Sequence, residues 1–255
     1  MEIWQSLVLA VVEGMTEFLP ISSTGHLILT AQVLRLPATE FIKSFEIAIQ
    51  LGAILAIILL YWKTLINFLI WPKIIIAFLP SAFLGFIFYD LIKQFLLGNS
   101  LVVVVSLLIG GVLLIFFEKR YQEQSYHLEK IQDLTYKKAF LVGLFQAVSM
   151  IPGVSRAAAT ILGGLFLGLK RKTAVEFSFF LATPTMLAAT TLDAAKSYQQ
   201  FSNDQMITLG IGLIFSFITA ILAVQFFVKY IQNHTFVVFG VYRIVIAVLF
   251  WLLAI

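Results

Sequence analysis

Apolar residues fill long blocks along almost the whole chain, and short polar or proline-containing breaks separate these blocks. A helix needs about 20 apolar residues to cross about 30 Å of hydrocarbon. Segments of about this length lie at 41–62, 74–96, 101–117, 174–195, 206–228 and 235–254. The alternation that membrane-spanning strands require is absent from them. The pattern therefore predicts an all-α polytopic membrane protein with six transmembrane helices.

Two further apolar blocks are each broken in the middle. Residues 3–35 are interrupted at Pro20-Ile-Ser-Ser, and residues 139–169 are interrupted at Pro152-Gly-Val-Ser-Arg. Proline ends a helix because it lacks an N–H group and restricts the residue before it. The resulting pieces are too short to span a bilayer, and irregular backbone at membrane depth must face protein or water. We therefore expect two re-entrant helical hairpins.

The positions of the basic residues predict the topology. Cytoplasmic loops of membrane proteins carry an excess of lysine and arginine. Basic residues precede and follow the second broken block: Lys119, Arg120, Lys130, Lys137 and Lys138 before it, and Lys170, Arg171 and Lys172 after it. Both flanks should then be cytoplasmic, which agrees with a re-entrant hairpin. Three spans separate the hairpins, so the halves 1–117 and 139–255 form an inverted-topology repeat within one membrane domain, joined by a loop at 118–138.

Composition supports this class of protein and excludes others. The chain is 61% hydrophobic and 12% charged, with a mean hydropathy of +1.01, and contains no cysteine. A soluble domain of this size could not cover so much apolar surface, and disulfides and thiolate metal sites are excluded. The net charge of +4 follows from the loops, so we expect membrane lipids and no nucleic acid as partners.

Two carboxylates, Glu13 and Glu17, directly precede the first break. Glu13 and Glu17 lie on one face if residues 12–18 are helical. A charge inside a membrane segment costs at least about 2.5 kcal/mol on insertion scales, so we interpret these residues as functional rather than as structural partners of basic groups. Two carboxylates one turn apart suit Mg²⁺ or Ca²⁺, with water and phosphate oxygens completing the coordination shell.

Hydroxyl groups and an imidazole follow the same break. Ser22 or Ser23 can cap the second helix, whose N-terminus favours an anion. His26 lies within one turn of both serines, so it could activate one of them as a nucleophile. The alternatives are that Ser22, Ser23 and Thr24 only cap and turn the chain, and that His26 is a structural helix residue.

The second break ends in Arg156, which opens a new helix inside an apolar hairpin. Arginine grips phosphate through two parallel N–H bonds, and the helix N-terminus adds its own donors. Ser155 is the expected cap and a candidate phosphate ligand, and Thr160 shares a face with Arg156. The structural alternative is an ion pair with an intramembrane carboxylate, namely Glu13, Glu17 or Glu176.

Three polar residues within the spans are expected to support the hairpins or line the cavity. Glu46 and Gln50 are four residues apart and share a helix face, and Glu176 follows the second break as Glu46 follows the first. Asp193, near the end of a span, is expected to be solvated.

These residues carry a resemblance to a known family. Glu13-Gly-Met-Thr-Glu17-Phe-Leu-Pro20-Ile-Ser-Ser-Thr-Gly-His26 and Pro152-Gly-Val-Ser155-Arg156 resemble the two signature motifs of the undecaprenyl-diphosphate phosphatases of the bacitracin-resistance type. The likeness runs the full length, including Phe45-Glu46-Ile-Ala-Ile-Gln50-Leu-Gly52. One position departs from the family: Ala157 stands where a serine usually follows the arginine, so one phosphate contact would be missing.

The resemblance implies an enzyme of the bacterial inner membrane with its site open to the outer side. The enzyme hydrolyses the C55 isoprenoid diphosphate to the monophosphate and inorganic phosphate, recycles the lipid carrier for peptidoglycan, and confers bacitracin resistance. It requires a divalent cation, and whether it forms a homodimer stays open.

The residues then suggest metal-assisted phosphoryl transfer. Glu13 and Glu17 would place the cation, and Arg156 with Ser22, Thr24, Ser155 and Thr160 would bind the diphosphate. Ser23 is the candidate nucleophile, with His26 or Glu17 taking its proton. The alternative is direct attack on phosphorus by water bound to the cation, with His26 as the base or as the acid for the leaving group.

Two functions from other classes compete with this one. Inverted repeats with broken helices also describe transporters, so a flippase for a phosphorylated lipid is the first. Phosphate release in detergent would exclude it. The second, a non-catalytic scaffold, does not explain the clustered intramembrane glutamate, serine, histidine and arginine.

Overall fold

The computed structural model describes residues 1–88, 99–197 and 202–254, and over these ranges the chain is helical. The helices, in chain order, are α1 Ile3–Thr16, α2 Ser23–Val33, α3 Glu40–Ala48, α4 Gln50–Leu65, α5 Trp71–Ile87, α6 Ser100–Arg120, α7 Tyr136–Val148, α8 Arg156–Phe166, α9 Arg171–Ser197, α10 Asn203–Tyr230 and α11 Val237–Ala254. A short 3₁₀ helix lies at Ile131–Asp133. No strand occurs in the described ranges apart from a single bridge between Leu128 and Leu169.

Both predicted breaks are present, and both have the same backbone geometry. The N-cap of α2 is Ser22, at φ 73°, and the N-cap of α8 is Ser155, at φ 75°. Each serine side chain accepts a hydrogen bond from the third residue of its helix, Gly25 N at 3.3 Å and Ala158 N at 3.1 Å. These bonds satisfy one of the free donors at each helix start. The expected caps are confirmed, with Ser22 rather than Ser23 in the first hairpin.

Within the described ranges, four helical segments are long and apolar enough to cross a membrane. They are Glu40–Leu65, which combines α3 and α4, Ser100–Arg120, Arg171–Ala195 and Asn203–Tyr230. The shorter apolar helices α5 and α11 cover parts of the other two predicted spans, and residues 89–96 of the span predicted at 74–96 lie outside the described residues. The protein is a polytopic helical membrane protein.

Helix packing exchanges partners between the two halves of the chain. Helix α1 of the first hairpin packs on α10 of the second half, and α7 of the second hairpin packs on α5 of the first half. In the same way, α4 of the first half packs on α10, and α9 of the second half packs on α5. Helices α6 and α11, one from each half, pack against each other. Each hairpin is therefore held mainly by spans from the opposite half.

The first break is anchored in the main apolar core by an aromatic side chain. Phe18 is fully buried and meets Phe179 of α9 edge to face, with ring centroids 5.2 Å apart. Phe179 in turn lies 6.3 Å from Phe227 of α10. Edge-to-face aromatic pairs add about 0.5–1.5 kcal/mol to the burial of their area. The irregular segment after α1 is thus fixed by packing and not by local hydrogen bonds alone.

The loop between α6 and α7 is tied to the start of α9. Arg171 forms a two-point ion pair with buried Glu118, and its backbone N–H donates to Glu123 at 2.7 Å. Leu128 exchanges backbone hydrogen bonds with Gly168 and Lys170. On the exposed side, a hydrogen bond from Lys170 lowers the pKa of Glu129.

One buried charge joins the two breaks. Arg243 of α11 is 0% exposed and donates to four backbone carbonyl groups. These are Pro20 O at 3.3 Å, Gly153 O at 2.9 Å, Val154 O at 3.1 Å and Ser106 O at 3.1 Å. Pro20 belongs to the first break, Gly153 and Val154 to the second, and Ser106 to α6. Gly110 of α6 leaves room for this side chain, because a Cβ atom there would overlap the guanidinium.

The expectation that Asp193 is solvated is wrong. It is 3% exposed rather than solvated. The reason is that α9 continues to Ser197, so Asp193 lies one turn inside the helix and not at its end.

The contact between α1 and α10 predicts a stability difference between two glycines. A Cβ at Gly14 would overlap Thr219 Oγ1 and the Ser216 carbonyl and lie 2.8 Å from Ala220 N, whereas a Cβ at Gly210 meets nothing within 4 Å. Gly14→Ala should lower the melting temperature in detergent. Gly210→Ala should leave it unchanged or raise it, since alanine stabilises a helix by up to about 1 kcal/mol relative to glycine. Equal melting temperatures would contradict this packing.

The Arg243 contacts predict a second stability effect. Arg243→Met should lower the free energy of unfolding by at least about 2 kcal/mol, because each buried carbonyl left without a donor costs about 1–3 kcal/mol. Arg243→Lys should also be destabilised, since an ammonium cannot reproduce the planar fork that reaches three segments. Arg120→Lys, at the exposed end of α6, is the matched control. If Arg243→Lys melts like Arg120→Lys, the guanidinium does not join the breaks.

Candidate active site

A cavity of about 490 Å³ lies between the two hairpin breaks. One part of its wall is polar and comes from the breaks and the helix starts that follow them: Glu17, Ser22, Ser23, Thr24, Ser155 and Arg156. Much of the rest is apolar and comes from α5, α9 and the residues between α7 and the second break, including Phe78, Ala82, Phe86, Met150, Ala189 and Leu192. The cavity can therefore hold a molecule with a polar head and an apolar tail.

Glu17 connects the two hairpins across the cavity. Its Oε1 lies 2.9 Å from Nη2 of Arg156, and its Oε2 accepts a hydrogen bond from the hydroxyl of Ser23. Glu17 is buried. The ion pair predicted as the structural alternative for Arg156 is thus present, with Glu17 as the partner. It also places Arg156 beside the candidate nucleophile, so the two interpretations are compatible.

A residue of α9 holds the other edge of the Arg156 guanidinium. Nη1 donates to Ser178 O at 2.7 Å and lies 3.1 Å from Ser178 Oγ. Thr160 Oγ1 lies 2.8 Å from Arg156 O and 2.7 Å from Ser178 Oγ. Thr160 therefore links the backbone of Arg156 to the serine that contacts its guanidinium. Ser178 was not among the site residues predicted from the sequence, because a lone serine in a span carries no local signal.

Glu13 is fully buried and has an unusual environment. Neither of its carboxylate oxygens has a hydrogen-bond partner, and its charged neighbours are Glu17, Glu46 and Arg156. It lies behind the cavity wall rather than in it. A buried carboxylate without partners fits a position that a cation or a proton neutralises.

The donor set near Glu13 suits a cation shared with a substrate. Among the described residues, no group of three or more histidine, aspartate or glutamate side chains could hold a metal ion by itself. Glu13 and Glu17 would supply two oxygen ligands, and a hard cation completes its shell with water and phosphate oxygens. The residues therefore fit Mg²⁺ or Ca²⁺.

His26 does not reach the hydroxyl of Ser23. Its Nδ1 lies 2.7 Å from the Ser22 carbonyl oxygen, and its Nε2 lies 2.9 Å from the hydroxyl of Tyr242 on α11. His26 is 9% exposed and is absent from the cavity wall. Both ring nitrogens are occupied, so Glu17 and not His26 is placed to accept the Ser23 proton.

The three supporting residues separate into two groups. Glu46 and Gln50 line the cavity on either side of Ile49, where α3 meets α4. Glu176 does not line it, and its carboxylate lies 3.9 Å from Lys172 near the start of α9. Glu176 lies two residues before Ser178 and therefore on another face of α9, so its role in supporting the hairpins stays a prediction.

Ala157, the departure from the family pattern, does not face the cavity. It is 1% exposed and belongs to the main apolar core. A hydroxyl at this position would point into packed side chains, so its absence removes no contact with a ligand in the cavity.

A second polar group lines the cavity and was not selected from the sequence. Gln146 of α7 is buried, and its Nε2 donates to Ser81 Oγ at 2.6 Å and Thr185 Oγ1 at 3.1 Å. This network links α5, α7 and α9 beside the second break. Its members are ordinary helix residues in sequence, and only their packing brings them together.

Comparison with known proteins identifies the family of the chain. The family model described as "Bacitracin resistance protein BacA" matches residues 6–249. A protein of Aquifex aeolicus named undecaprenyl-diphosphatase is 52% identical over 97% of this chain and 96% of its own length. Relatives with the same name from Sulfurihydrogenibium sp. and Wolinella succinogenes are 47% and 43% identical, over 97% and 98% of this chain and 98% and 97% of their own lengths. The chain belongs to the BacA family of bacitracin resistance proteins.

Proposed function

We propose that this protein hydrolyses undecaprenyl diphosphate to undecaprenyl phosphate and inorganic phosphate. Relatives that carry this name match nearly the full length of the chain. The observation that supports the proposal in the structure is the chain of contacts from Ser23 through Glu17 to Arg156, at the polar end of a cavity whose other walls are apolar. This activity recycles the lipid carrier of cell-wall synthesis, and it accounts for bacitracin resistance.

The diphosphate would bind between the two breaks. The helices α2 and α8 both begin at the cavity wall, and the free N–H groups and dipole of a helix start favour an anion. Arg156 adds a positive charge that Ser178 and Thr160 hold in place. The first isoprene units would lie against the apolar wall of α5 and α9, around Ala82 and Ala189.

Two displacements follow from the position of Ser23. Ser23 Oγ attacks the terminal phosphorus while Glu17 Oε2 takes the hydroxyl proton, and the bond to the bridging oxygen breaks. The prenyl monophosphate leaves with the bridging oxygen. Glu17 passes the Ser23 proton to this departing monophosphate, so its carboxylate is free again. Water then attacks the phosphoserine, and Glu17 accepts a proton from that water. Glu17 returns this proton to Ser23 Oγ as the bond between Ser23 Oγ and phosphorus breaks, and inorganic phosphate is released. Arg156 binds the phosphoryl oxygens throughout, where negative charge increases in the transition state.

Glu13 and Glu17 would hold the divalent cation. When bound, it supplies positive charge that stabilises the phosphoryl oxygens. Its presence would also explain why a carboxylate without hydrogen-bond partners persists in the interior of a membrane protein.

The proposed architecture is six transmembrane helices and two re-entrant hairpins related as an inverted repeat. The exchanged packing of α1 on α10 and α7 on α5 supports it, as do the matched caps Ser22 and Ser155. The basic flanks of the second hairpin support a cytoplasmic position for both of its ends. We place the protein in the bacterial inner membrane with the cavity open to the outer side.

The exchanged packing also favours the second candidate, a flippase for a phosphorylated lipid, because inverted repeats are common in transporters. Phosphate release from C55 diphosphate by purified protein in detergent, measured with and without EDTA, separates the two functions. Hydrolysis that EDTA abolishes and Mg²⁺ or Ca²⁺ restores is expected. A pure, folded protein that releases no phosphate under any of these conditions would exclude the phosphatase.

The Arg156 contacts predict a loss of activity on conservative replacement. Arg156→Lys keeps the charge but loses the fork that holds Glu17 and Ser178 at once. The loss of one charged interaction with a transition-state oxyanion costs about 3–4 kcal/mol, or roughly 10²–10³ in rate. Arg156→Ala should lose more.

Phosphate release and melting temperature are measured together on these variants, with Arg120→Lys as the control substitution. Ala157→Ser, which places the usual family residue in the core, should leave turnover within about twofold of the parent chain. Full activity of Arg156→Lys would remove Arg156 from the catalytic residues.

The topology predicts which positions an impermeant maleimide reaches in intact cells. A cysteine introduced at Asn99 or Asn203, both exposed at helix starts, should react from outside. A cysteine at Gln124 or Lys172, also exposed, should react only after the membrane is permeabilised. The opposite labelling pattern would reverse the orientation and place the cavity opening on the cytoplasmic side.

A further inference from the structure

His26 and Tyr242 form a stacked and hydrogen-bonded pair next to the candidate active site. The two rings are nearly parallel, with an interplanar angle of 5° and centroids 5.5 Å apart. The Tyr242 hydroxyl lies 2.9 Å from His26 Nε2. This contact joins α11 to the first turn of α2. Tyr242 directly precedes Arg243 on α11. The same part of α11 therefore contacts both breaks and the histidine.

The partners of the imidazole determine its tautomer. The Ser22 carbonyl oxygen can only accept, so the proton lies on Nδ1, which donates to it at 2.7 Å. In a neutral ring, Nε2 then accepts from the Tyr242 hydroxyl. The imidazole ring therefore links Tyr242 of α11 to the Ser22 carbonyl group. Because both ring nitrogens have partners, neither is free to act on Ser23.

The Ser22 carbonyl belongs to a strained residue. Ser22 has φ 73°, a left-handed conformation that costs a non-glycine residue free energy and persists only when its surroundings hold it. Its carbonyl accepts from both the backbone N–H and Nδ1 of His26. The next residue is Ser23, whose hydroxyl meets Glu17. The direction of the nucleophile therefore depends on how firmly this peptide group is held.

The second hairpin offers an internal comparison. Its cap, Ser155, has almost the same φ of 75°, and its carbonyl accepts the backbone N–H of the residue four positions later. That residue is Ala159, whose methyl side chain cannot donate a second hydrogen bond. Only the hairpin that carries Ser23 has the additional ring contact, so the contact is not a general requirement of the turn.

We propose that Tyr242 is a positioning residue: through His26 it holds the Ser22 carbonyl and so directs Ser23 toward Glu17 and the substrate phosphorus. This role rests on the proposed phosphatase function for its effect on rate. Its effect on the backbone does not depend on that function. Tyr242 touches neither the cavity nor the reacting atoms.

Tyr242→Phe removes the hydroxyl and keeps the stacked ring. We expect kcat for C55 diphosphate to fall about three- to tenfold, the loss typical of one neutral hydrogen bond, with KM within about twofold. Tyr230→Phe is the matched control, because Tyr230 also stacks on a histidine, His234, with centroids 4.3 Å apart and outside the cavity wall. It should leave kcat unchanged.

Two further measurements distinguish positioning from other roles. In a His26→Ala background, Tyr242→Phe should cause no additional loss of kcat, because Tyr242 acts through His26. Amide hydrogen exchange at Gly25 and His26 should be faster in Tyr242→Phe than in the parent chain or in Tyr230→Phe, and this readout does not require enzymatic activity. Unchanged exchange and unchanged kcat in Tyr242→Phe would overturn the proposal, as would an equal fall in kcat in both backgrounds.

Discussion

A helix that is broken in the interior of a protein leaves carbonyl groups without helical partners, and the buried Arg243 satisfies several of these carbonyls. Arg243 donates to carbonyls from both breaks and from α6. A buried guanidinium would be costly alone, and so would the unpaired carbonyls. Each satisfies the other, so the two irregular segments can lie side by side where a cavity forms between them.

The candidate active site uses the same kind of mutual compensation. Glu17 comes from the first hairpin and is buried, and Arg156 comes from the second and is partly buried. Removing either partner would leave an uncompensated charge. The pair therefore links assembly of the halves to assembly of the site, since the carboxylate that contacts Ser23 is held by the arginine from the opposite hairpin. Neither hairpin carries a complete site.

Much of the fold and part of the site could be predicted from sequence, for physical reasons that concern local signals. Pro20 and Pro152 predict the breaks, and Ser22 and Ser155 predict the helix caps. A charged residue such as Arg156 in an apolar block is costly wherever it lies in the fold, so it indicates a special role. The same rule applies to Arg243, which lies in the apolar segment 235–254 and carries the same sequence signal as Arg156, although it was not among the predicted residues.

Other parts could not be predicted because they depend on which faces meet. Ser178 and Tyr242 are ordinary residues of their helices until Arg156 and His26 pack against them. His26 was expected near the Ser23 hydroxyl, since it lies within one turn of both serines, but its Nδ1 contacts the carbonyl oxygen of Ser22. Glu176 follows its break as Glu46 follows the first, and yet it lies near the start of α9, beside Lys172.

The central claim is that Ser23, directed by Glu17 and Arg156, attacks phosphorus and forms a covalent intermediate. The stereochemical course of the reaction tests it most directly. The substrate would be a polyprenyl diphosphate whose terminal thiophosphate is made chiral with oxygen isotopes, hydrolysed in isotopically labelled water. Two successive displacements predict retention of configuration in the released thiophosphate. Inversion would mean a single direct attack by water, and it would contradict the assignment of Ser23 as the nucleophile.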